Sequence, residues 1–273
     1  MNIDAHVHLW NYDPVRDSWM EGMNVLHKNY LPEILLPTLA NAGLDGCVAV
    51  QAEQSEKETL FLKYLADNNT IIKGVVGWVD LLHGNIEERL EYFSQFPVIK
   101  GFRHIAQAEP DGFLLQDNFI CGIKYLAKYN FTYDVLVYHH QLNDALKLVQ
   151  QFPEQPFVFD HCAKPDVKNK NIASWEKQIK EIALMPNVYC KVSGLLTETN
   201  LKQWKPEDFY PYLDVIFKAF GTHRILFGSD WPVLLLSGEY IEWKELLMTY
   251  MNKFSAEEKK AVFGLNASKF YNL

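Results

Sequence analysis

Eight short apolar runs, separated by amphipathic stretches, recur along this chain of 273 residues. Short runs bounded by turn residues are typical of buried parallel strands, and stretches with apolar residues three or four positions apart are typical of the helices that cover them. The predicted strands span residues 3–9, 46–51, 71–79, 98–105, 132–138, 157–160, 188–192 and 225–227. This alternation predicts either a closed (β/α)₈ barrel or an open, doubly wound sheet.

Local signals place several of the helices and favour the barrel. Ser55 and Glu58 have the spacing of a capping box, which predicts a helix over residues 55–67. The last two predicted helices lie within residues 239–251 and 255–263. No Gly-x-Gly-x-x-Gly motif follows the first strand, as it would in many nucleotide-binding open sheets. We therefore predict an α/β protein with a (β/α)₈ TIM barrel.

Composition narrows the class of protein. With 48% hydrophobic and 14% aromatic residues, the chain can bury a large core, so residues 1–273 are expected to form one barrel domain rather than a disordered or fibrous protein. A net charge of -8 opposes binding to nucleic acid or an anionic membrane, which would need clustered cations. The four cysteines contain no Cys-x-x-Cys pair, so neither a zinc knuckle nor a disulfide framework is indicated.

The same features favour a small molecule as the binding partner. The first predicted strand begins too early to leave room for a signal segment, and no apolar run approaches membrane-spanning length. We expect a cytoplasmic protein, and the sequence leaves a homo-oligomer open.

Polar side chains collect at the predicted carboxyl ends of the strands. His6 and His8 stand two positions apart on the first strand, so they project from the same face and can hold a metal ion or a carbonyl oxygen. Taken alone, such a pair is equally typical of ordinary polar residues at a strand end. Further polar residues follow at other strand ends: Arg103, His104, His139, His140, Asp160, His161, Ser193 and Asp230. In a barrel these ends converge on one mouth, where active sites of this fold lie.

Six motifs occur in this order along the chain: DAHVHLW at 4–10, QAEQS at 51–55, KGFR at 100–103, DHCAKP at 160–165, KVSG at 191–194 and GSDWP at 228–232. Together they resemble the amidohydrolase superfamily, and within it the lactonase branch that acts on sugar-acid lactones and pyrone dicarboxylates. The resemblance covers nearly the whole chain. It implies that His6, His8, His161 and Asp230 form the centre of the site, with Asp230 as the base that activates water.

The resemblance also implies one divalent metal ion or none. Binuclear members carry a bridging lysine or glutamate at the end of strand four, whereas this strand ends in Arg103 and His104, and a cation there would repel a second metal. Zinc suits a set of histidine and carboxylate ligands. The predicted ligands are His6, His8, His161 and Asp230, with His139 or His140 as a further candidate.

Five residues are predicted to contact the substrate: Arg103, His104, Trp10, Trp19 and Lys164. A guanidinium such as that of Arg103 can bind a carboxylate through two hydrogen bonds, or donate to lactone and hydroxyl oxygens, or form a salt bridge to a neighbouring loop. Residues 10–30 form an unusually long, aromatic loop that we expect to cover the mouth of the barrel. The aromatic side chains of this loop can also pack against one another, which is compatible with a covering role. Lys164 and Lys191 are the weaker candidates, because lysines near strand ends often point to solvent.

The leading functional prediction is a hydrolase that opens a lactone of the L-fuconolactone or L-rhamnonolactone kind. Asp230 would take a proton from water, while His161 and His8, alone or through a metal on His6, would stabilise the oxyanion. One alternative is a metal-dependent decarboxylase of a small unsaturated or aromatic acid, in which Arg103 would hold a second carboxylate. Another is a non-catalytic barrel that binds a sugar acid or a metal, since fold does not fix function.

Overall fold

The eight apolar runs form eight parallel strands, hydrogen-bonded in chain order in a computed structural model that describes residues 1–273. The strands are β1 Ile3–Val7, β2 Gly46–Val50, β3 Ile72–Gly77, β4 Ile99–His104, β5 Thr132–Val135, β6 Phe157–Phe159, β7 Val188–Val192 and β8 Ile225–Phe227. Helices alternate with them, which confirms the predicted (β/α)₈ barrel. None of these helices has the length and apolarity needed to cross a membrane.

Ten α-helices accompany the strands. They are α1 Pro32–Asn41, α2 Glu56–Asn68, α3 Ile86–Ser94, α4 Asp117–Lys128, α5 Leu142–Gln151, α6 Ala173–Ile182, α7 Tyr210–Phe220, α8 Tyr240–Tyr250, α9 Ala256–Lys260 and α10 Asn266–Tyr271. The capping box of α2 is present, because Ser55 Oγ accepts a hydrogen bond of 3.1 Å from the backbone N–H of Glu58.

Two parts of the helical layer differ from expectation. Helix α1 was not predicted, because Pro37 lies inside it and proline normally interrupts a helical pattern. The last predicted helix, over residues 255–263, is instead the short helix α9, followed by a π-helical turn at Ala261–Leu265 and then by α10.

The barrel closes through its first and last strands. Beyond β8, the backbone N–H of Asp230 donates to the carbonyl of His6 at 2.9 Å, and the N–H of His8 donates to the carbonyl of Trp231 at 2.7 Å. The register of β1 against β2 shifts between Asp4 and Val7. Such an irregularity re-aims side chains at the mouth of a barrel.

Apolar residues fill two layers. The larger cluster lies between the strands and the surrounding helices. A smaller cluster includes strand residues such as Val48, Val76 and Leu226 and packs against Phe270 and Tyr271 of α10. Helix α10 therefore contributes side chains to the barrel's own core.

Candidate active site

A cavity of about 360 Å³ opens at the carboxyl ends of the strands. The residues that line it are His8, Trp19, Ala52, Gln54, Arg103, Ile105, Gln107, Ala108, Leu136, His161, Lys164, Asp230 and Val233. Six of the residues predicted from the strand ends and the lid loop are therefore brought together here: His8, Trp19, Arg103, His161, Lys164 and Asp230.

Three imidazoles surround one carboxylate oxygen in this cavity. Asp230 Oδ1 lies 3.3 Å from His8 Nε2 and 3.8 Å from both His6 Nε2 and His161 Nε2. The Nε2 atoms of His6 and His8 are 3.2 Å apart. All four side chains are at least 94% buried. The structure thus places the four predicted central residues in mutual contact range.

Hydrogen bonds on the far side of each ring fix its orientation. His8 Nδ1 lies 2.8 Å from the carbonyl of Val50, an acceptor, so His8 carries a proton on Nδ1. His6 Nδ1 lies 3.2 Å from its hydrogen-bond partner, Lys191 Nζ, and also 3.2 Å from Asp160 Oδ1. A neutral His8 with this tautomer presents a lone pair at Nε2, so it cannot donate to an oxyanion in the way the sequence analysis proposed.

His161 is supported differently. Its Nδ1 lies 2.8 Å from Ser193 Oγ, and a hydroxyl group both donates and accepts. His161 Nε2 can therefore act either as a metal ligand or as a hydrogen-bond donor.

The donor set fits a divalent cation. His6 with a proton on Nδ1, His8 with a proton on Nδ1 and an ionised Asp230 would bring three lone-pair atoms within 3.8 Å of one another. One hydrogen-bond donor also faces these atoms, because Arg103 Nη1 lies 3.3 Å from His6 Nε2. One ligand atom from each of His6, His161 and Asp230 also lies within 4.8 Å of the others. Convergent imidazoles and a carboxylate, held by outer hydrogen bonds, form the usual environment of zinc.

The surroundings of the cavity shift the pKa values of Asp230, His161 and His6 downward. Burial would raise the pKa of Asp230, but the charges and hydrogen bonds of His161, His8 and His6 outweigh it and lower that pKa. Burial lowers the pKa of His161 to about 4, although Asp230 opposes the shift. Burial likewise holds the pKa of His6 well below its ordinary value.

A left-handed turn follows β6 and carries His161 into the cavity. His161, Cys162, Ala163 and Lys164 all have φ between 46° and 55°, a region that residues other than glycine rarely adopt. Trp175 Nε1 donates to the carbonyl of Cys162 at 2.8 Å and holds the turn in place. Strained backbone of this kind is often found at functional sites.

Gly194 makes room for the His161 ring. Its φ is +64°, and a Cβ added there would lie 2.5 Å from the ring atoms Cγ and Nδ1 of His161. Glycine is therefore required at this position both by the backbone and by the neighbouring imidazole.

Charged side chains fill the barrel beneath the cavity. Arg103 Nη1 lies 3.0 Å from Asp160 Oδ2, and Arg103 Nη2 donates to the carbonyl of Gln51. Lys191 Nζ contacts Asp134 Oδ2 and lies 3.0 Å from Asp160 Oδ1. Lys191, a weaker candidate because lysines near strand ends often point to solvent, is instead fully buried.

Asp4, the first residue of the DAHVHLW motif, links β1 to the segments that follow β8, where the barrel closes. Its Oδ1 accepts from the backbone N–H groups of His6 and Ser229, each at 2.9 Å, and its Oδ2 accepts from the hydroxyl of Tyr240 at 2.6 Å. No role was predicted for Asp4 from the sequence, although its position two residues before His6 could have indicated a structural role next to the site.

Two predicted substrate contacts do not reach the cavity. His104 follows Arg103 on β4, and successive strand residues point to opposite faces, so His104 stacks on Phe113 outside the barrel and pairs with Glu109 at 2.9 Å. Trp10 donates to the carbonyl of Lys28 and lines a neighbouring hollow instead.

Neither His139 nor His140 joins the ligand cluster. His139 Nδ1 lies 3.0 Å from the carbonyl of Lys164, and the ring of His140 stacks on Tyr138. Both histidines lie in a short helical turn after β5, and neither belongs to the group formed by His6, His161 and Asp230.

The loop over residues 10–30 is closed on itself by aromatic contacts. Trp10 and Tyr30 exchange two backbone hydrogen bonds of 2.9 Å, and their rings meet edge to face. Trp19, which is 46% exposed, is the residue of this loop that lines the cavity.

Two polar residues of the cavity were not predicted from the sequence. Gln54 Oε1 accepts a 2.7 Å hydrogen bond from the backbone N–H of Ile105, and Gln107 Oε1 is buried without a hydrogen-bond partner. Gln54 lies in the QAEQS motif, which could have marked it. Gln107 has no comparable signal, since it lies in a single 3₁₀ turn, Ala106–Ala108, after β4.

Comparison with known proteins agrees with this geometry. A family described as Amidohydrolase matches residues 3–273. The chain belongs to the amidohydrolase family. Two relatives are both named L-fucono-1,5-lactonase. The protein from Burkholderia multivorans is 35% identical over 100% of this chain and 96% of its own length. The protein from Burkholderia ambifaria is 30% identical over 99% and 95%.

A solved structure extends the likeness to the fold. A crystal structure of an amidohydrolase from Burkholderia multivorans with bound zinc is 35% identical, has a TM-score of 0.96, and covers 100% of this chain and 99% of that one. The predicted resemblance to amidohydrolases, and to their lactonase branch, is thus confirmed, as is the barrel of this amidohydrolase.

Proposed function

We propose that this amidohydrolase hydrolyses a sugar-acid lactone to the aldonic acid. The observation that carries the proposal is a buried carboxylate, Asp230, facing three imidazoles in a cavity of a chain 35% identical to an L-fucono-1,5-lactonase over its full length. A lactone of the L-fucono-1,5 kind is the substrate class we favour.

Different residues of the cavity carry out different parts of the proposed hydrolysis. Asp230 is ionised and takes a proton from a water that attacks the lactone carbonyl, and it then returns the proton to the leaving alkoxide. Without a metal ion, His161, with Ser193 donating to its Nδ1, can direct an Nε2–H at the developing oxyanion. Trp19 and the apolar wall of Ile105, Leu136 and Val233 limit the access of bulk water.

We propose that one zinc ion is held by His6, His161 and Asp230, with His8 beside them. When bound, a divalent ion there would polarise the carbonyl and acidify the attacking water. The zinc in the Burkholderia multivorans structure supports this choice.

The charges lining the cavity favour a neutral, hydroxylated substrate. Both terminal nitrogens of Arg103 are engaged by Asp160 and Gln51, and Lys164 Nζ is paired with Glu198 at 2.7 Å. Arg103 Nε is buried without a partner and can donate one hydrogen bond to a substrate oxygen. The amides of Gln54 and Gln107 offer further groups to hydroxyl oxygens.

This arrangement weighs against the decarboxylase alternative. That reaction would need Arg103 to bind a second carboxylate through two N–H groups, and those groups are occupied within the protein. A non-catalytic barrel would have no use for an ionised carboxylate that faces three imidazoles, so it is also disfavoured. A cytoplasmic location and a homo-oligomer stay predictions.

The test is acid release, followed with an indicator in weak buffer, on L- and D-aldonolactones and on 2-pyrone-4,6-dicarboxylate. We expect turnover of L-fucono-1,5-lactone or a close stereoisomer and none of the dicarboxylate. Asp230→Asn should lower kcat by about 10²- to 10⁴-fold, the usual contribution of a general base. Asp214→Asn, on the outer face of α7, is the matched control and should leave kcat unchanged. A folded protein that hydrolyses no aldonolactone would refute the proposal.

A further inference from the structure

A glutamine in the loop after β2 spans the end of β3 and reaches the end of β4. Gln54 Oε1 accepts a 2.7 Å hydrogen bond from the backbone N–H of Ile105, the first residue after β4. No residue of β3 lines the cavity, so the side chain of Gln54 forms this part of its wall.

This hydrogen bond fixes which atoms of the Gln54 amide face the cavity. A backbone N–H group needs an acceptor, so the amide oxygen points to Ile105 and the amide nitrogen points away from it. Gln54 Nε2 has no hydrogen-bond partner within the protein and is not buried. It therefore offers its N–H groups to a ligand in the cavity that Gln54 lines.

The other donors of the cavity wall are engaged or lack a fixed orientation. The terminal nitrogens of Arg103 contact Asp160 and the carbonyl of Gln51, and Lys164 Nζ is paired with a carboxylate. No hydrogen bond orients the amide of Gln107, so it can turn either way. Of the two amide side chains that line the cavity, Gln54 is thus the one held with its donor toward the ligand.

The position of this donor decides which part of a ligand it contacts. In the ring of eight strands β4 stands opposite β8, and Asp230 follows β8. A lactone whose carbonyl is held beside Asp230 therefore directs the opposite side of its ring toward Gln54. An amide N–H group there binds an oxygen and not a C–H group, so it distinguishes a hydroxylated ring from an unsubstituted one.

We propose that Gln54 is a specificity-determining residue that donates a hydrogen bond to a hydroxyl oxygen on the side of the lactone ring remote from the carbonyl. The substrates are then lactones that carry a hydroxyl group at that side, as the 1,5-lactones of sugar acids do. The inference rests on the proposed lactonase function.

The test compares L-fucono-1,5-lactone with δ-valerolactone, which has the same six-membered ring and no hydroxyl groups. Gln54→Met removes the amide and keeps a side chain of similar length. The ratio of kcat/KM for the two lactones should fall about tenfold in favour of δ-valerolactone, the effect of one lost hydrogen bond to the substrate. An unchanged ratio in folded Gln54→Met would overturn the inference, because Gln54 would then act only by holding the segment at Ile105.

The matched control is Gln155→Met. Gln155 Nε2 also donates to backbone carbonyls, those of Phe131 and Pro156, but these residues precede β5 and β6 at the other end of the barrel. This variant should leave the ratio of the two lactones unchanged.

Gln54→Glu covers the case in which Gln54→Met does not fold, because one carboxylate oxygen can still accept from the N–H of Ile105. The other oxygen then faces the cavity as a charged acceptor. A substrate hydroxyl that donates to it forms a stronger bond than one to an amide, so the same ratio should change about threefold or more. A smaller change would contradict the inference.

Ligand binding separates this inference from the proposed function. The 1,5-lactam of L-fuconic acid keeps the hydroxyl groups and resists hydrolysis, so calorimetry gives its Kd without turnover. Gln54→Met should raise this Kd about tenfold, and Gln155→Met should not. That result without hydrolysis of any lactone would uphold the role of Gln54 and refute the proposed function, whereas an unchanged Kd in Gln54→Met would overturn the inference.

Discussion

Arg103 and Asp160 form an ion pair of 3.0 Å inside the barrel, and neither side chain is more than 3% exposed. The terminal nitrogens of the Arg103 guanidinium are therefore engaged in contacts within the protein and are not free to bind a substrate. Asp160 links this pair to Lys191 and to His6, so the floor of the cavity is a charged network whose members depend on one another.

Breaking this pair should destabilise the fold. Arg103→Met leaves the buried Asp160 with only part of its counter-charge, and removal of one partner of a buried pair costs about 3–5 kcal/mol. Urea unfolding would measure the loss. The control is Arg89→Met, because Arg89 pairs with Glu56 at the surface, where such pairs contribute about 0–1 kcal/mol. Equal losses in the two variants would contradict the buried role of Arg103.

His104 should affect stability and not substrate binding. Its ring is buried outside the cavity, and burial lowers its pKa against the opposing effect of Glu109. Below the ordinary histidine pKa the unfolded chain takes up a proton that the folded chain does not, so this residue makes the fold less stable as pH falls.

Stability should therefore be compared in the unsubstituted protein and His104→Asn, at about pH 7.5 and about pH 5.5, on either side of an ordinary histidine pKa. The advantage of the unsubstituted protein should shrink at the lower pH, and KM should be the same for both. A raised KM in His104→Asn would place this ring in the substrate site after all.

Gly194→Ala should inactivate the site locally. The added methyl group would meet the His161 ring at 2.5 Å in a backbone region unfavourable to alanine, so ring or turn must move. A displacement of about 1 Å costs about 10²-fold in catalysis. Gly84→Ala is the control, because no atom lies within 4 Å of the added Cβ. Normal kcat in folded Gly194→Ala would show that His161 is not held where the geometry places it.

Removal of zinc should abolish most turnover if His6, His161 and Asp230, with His8 beside them, hold an ion. Dialysis against a chelator, followed by one equivalent of zinc, should lose and then restore activity, while His6→Asn should retain little zinc by elemental analysis. The control is His83→Asn, which replaces an exposed histidine and should leave the zinc content of the protein unchanged. Full activity of a thoroughly chelated protein would favour the metal-free form of the mechanism.

Most of the predicted residues that the structure brings to the cavity share one property: they lie at or just beyond the carboxyl ends of buried strands. His6, His8 and Asp230 are brought together by barrel closure alone, and a chain of alternating strands and helices predicts that closure. His104 was misplaced because adjacent strand residues face opposite ways, so Arg103 and His104 could not both enter the cavity.

Other features left no readable signal. Lys191 looks like a surface lysine unless the buried carboxylates beside it are known, and these come from other strands. Gln107 lies in a 3₁₀ turn of three residues, which is too short for a periodic pattern to indicate which side chain faces the cavity. The left-handed turn after β6 contains no glycine, the residue that usually marks such a conformation.

The hydrogen bond from the N–H of Asp230 to the carbonyl of His6 joins the two ends of the barrel. The proposed base and its first histidine partner are thus separated by most of the chain and meet only when the ring of strands is complete. A nascent or truncated chain holds these groups apart, so hydrolytic competence arises in one step with the final strand, and partly synthesised protein carries no reactive centre.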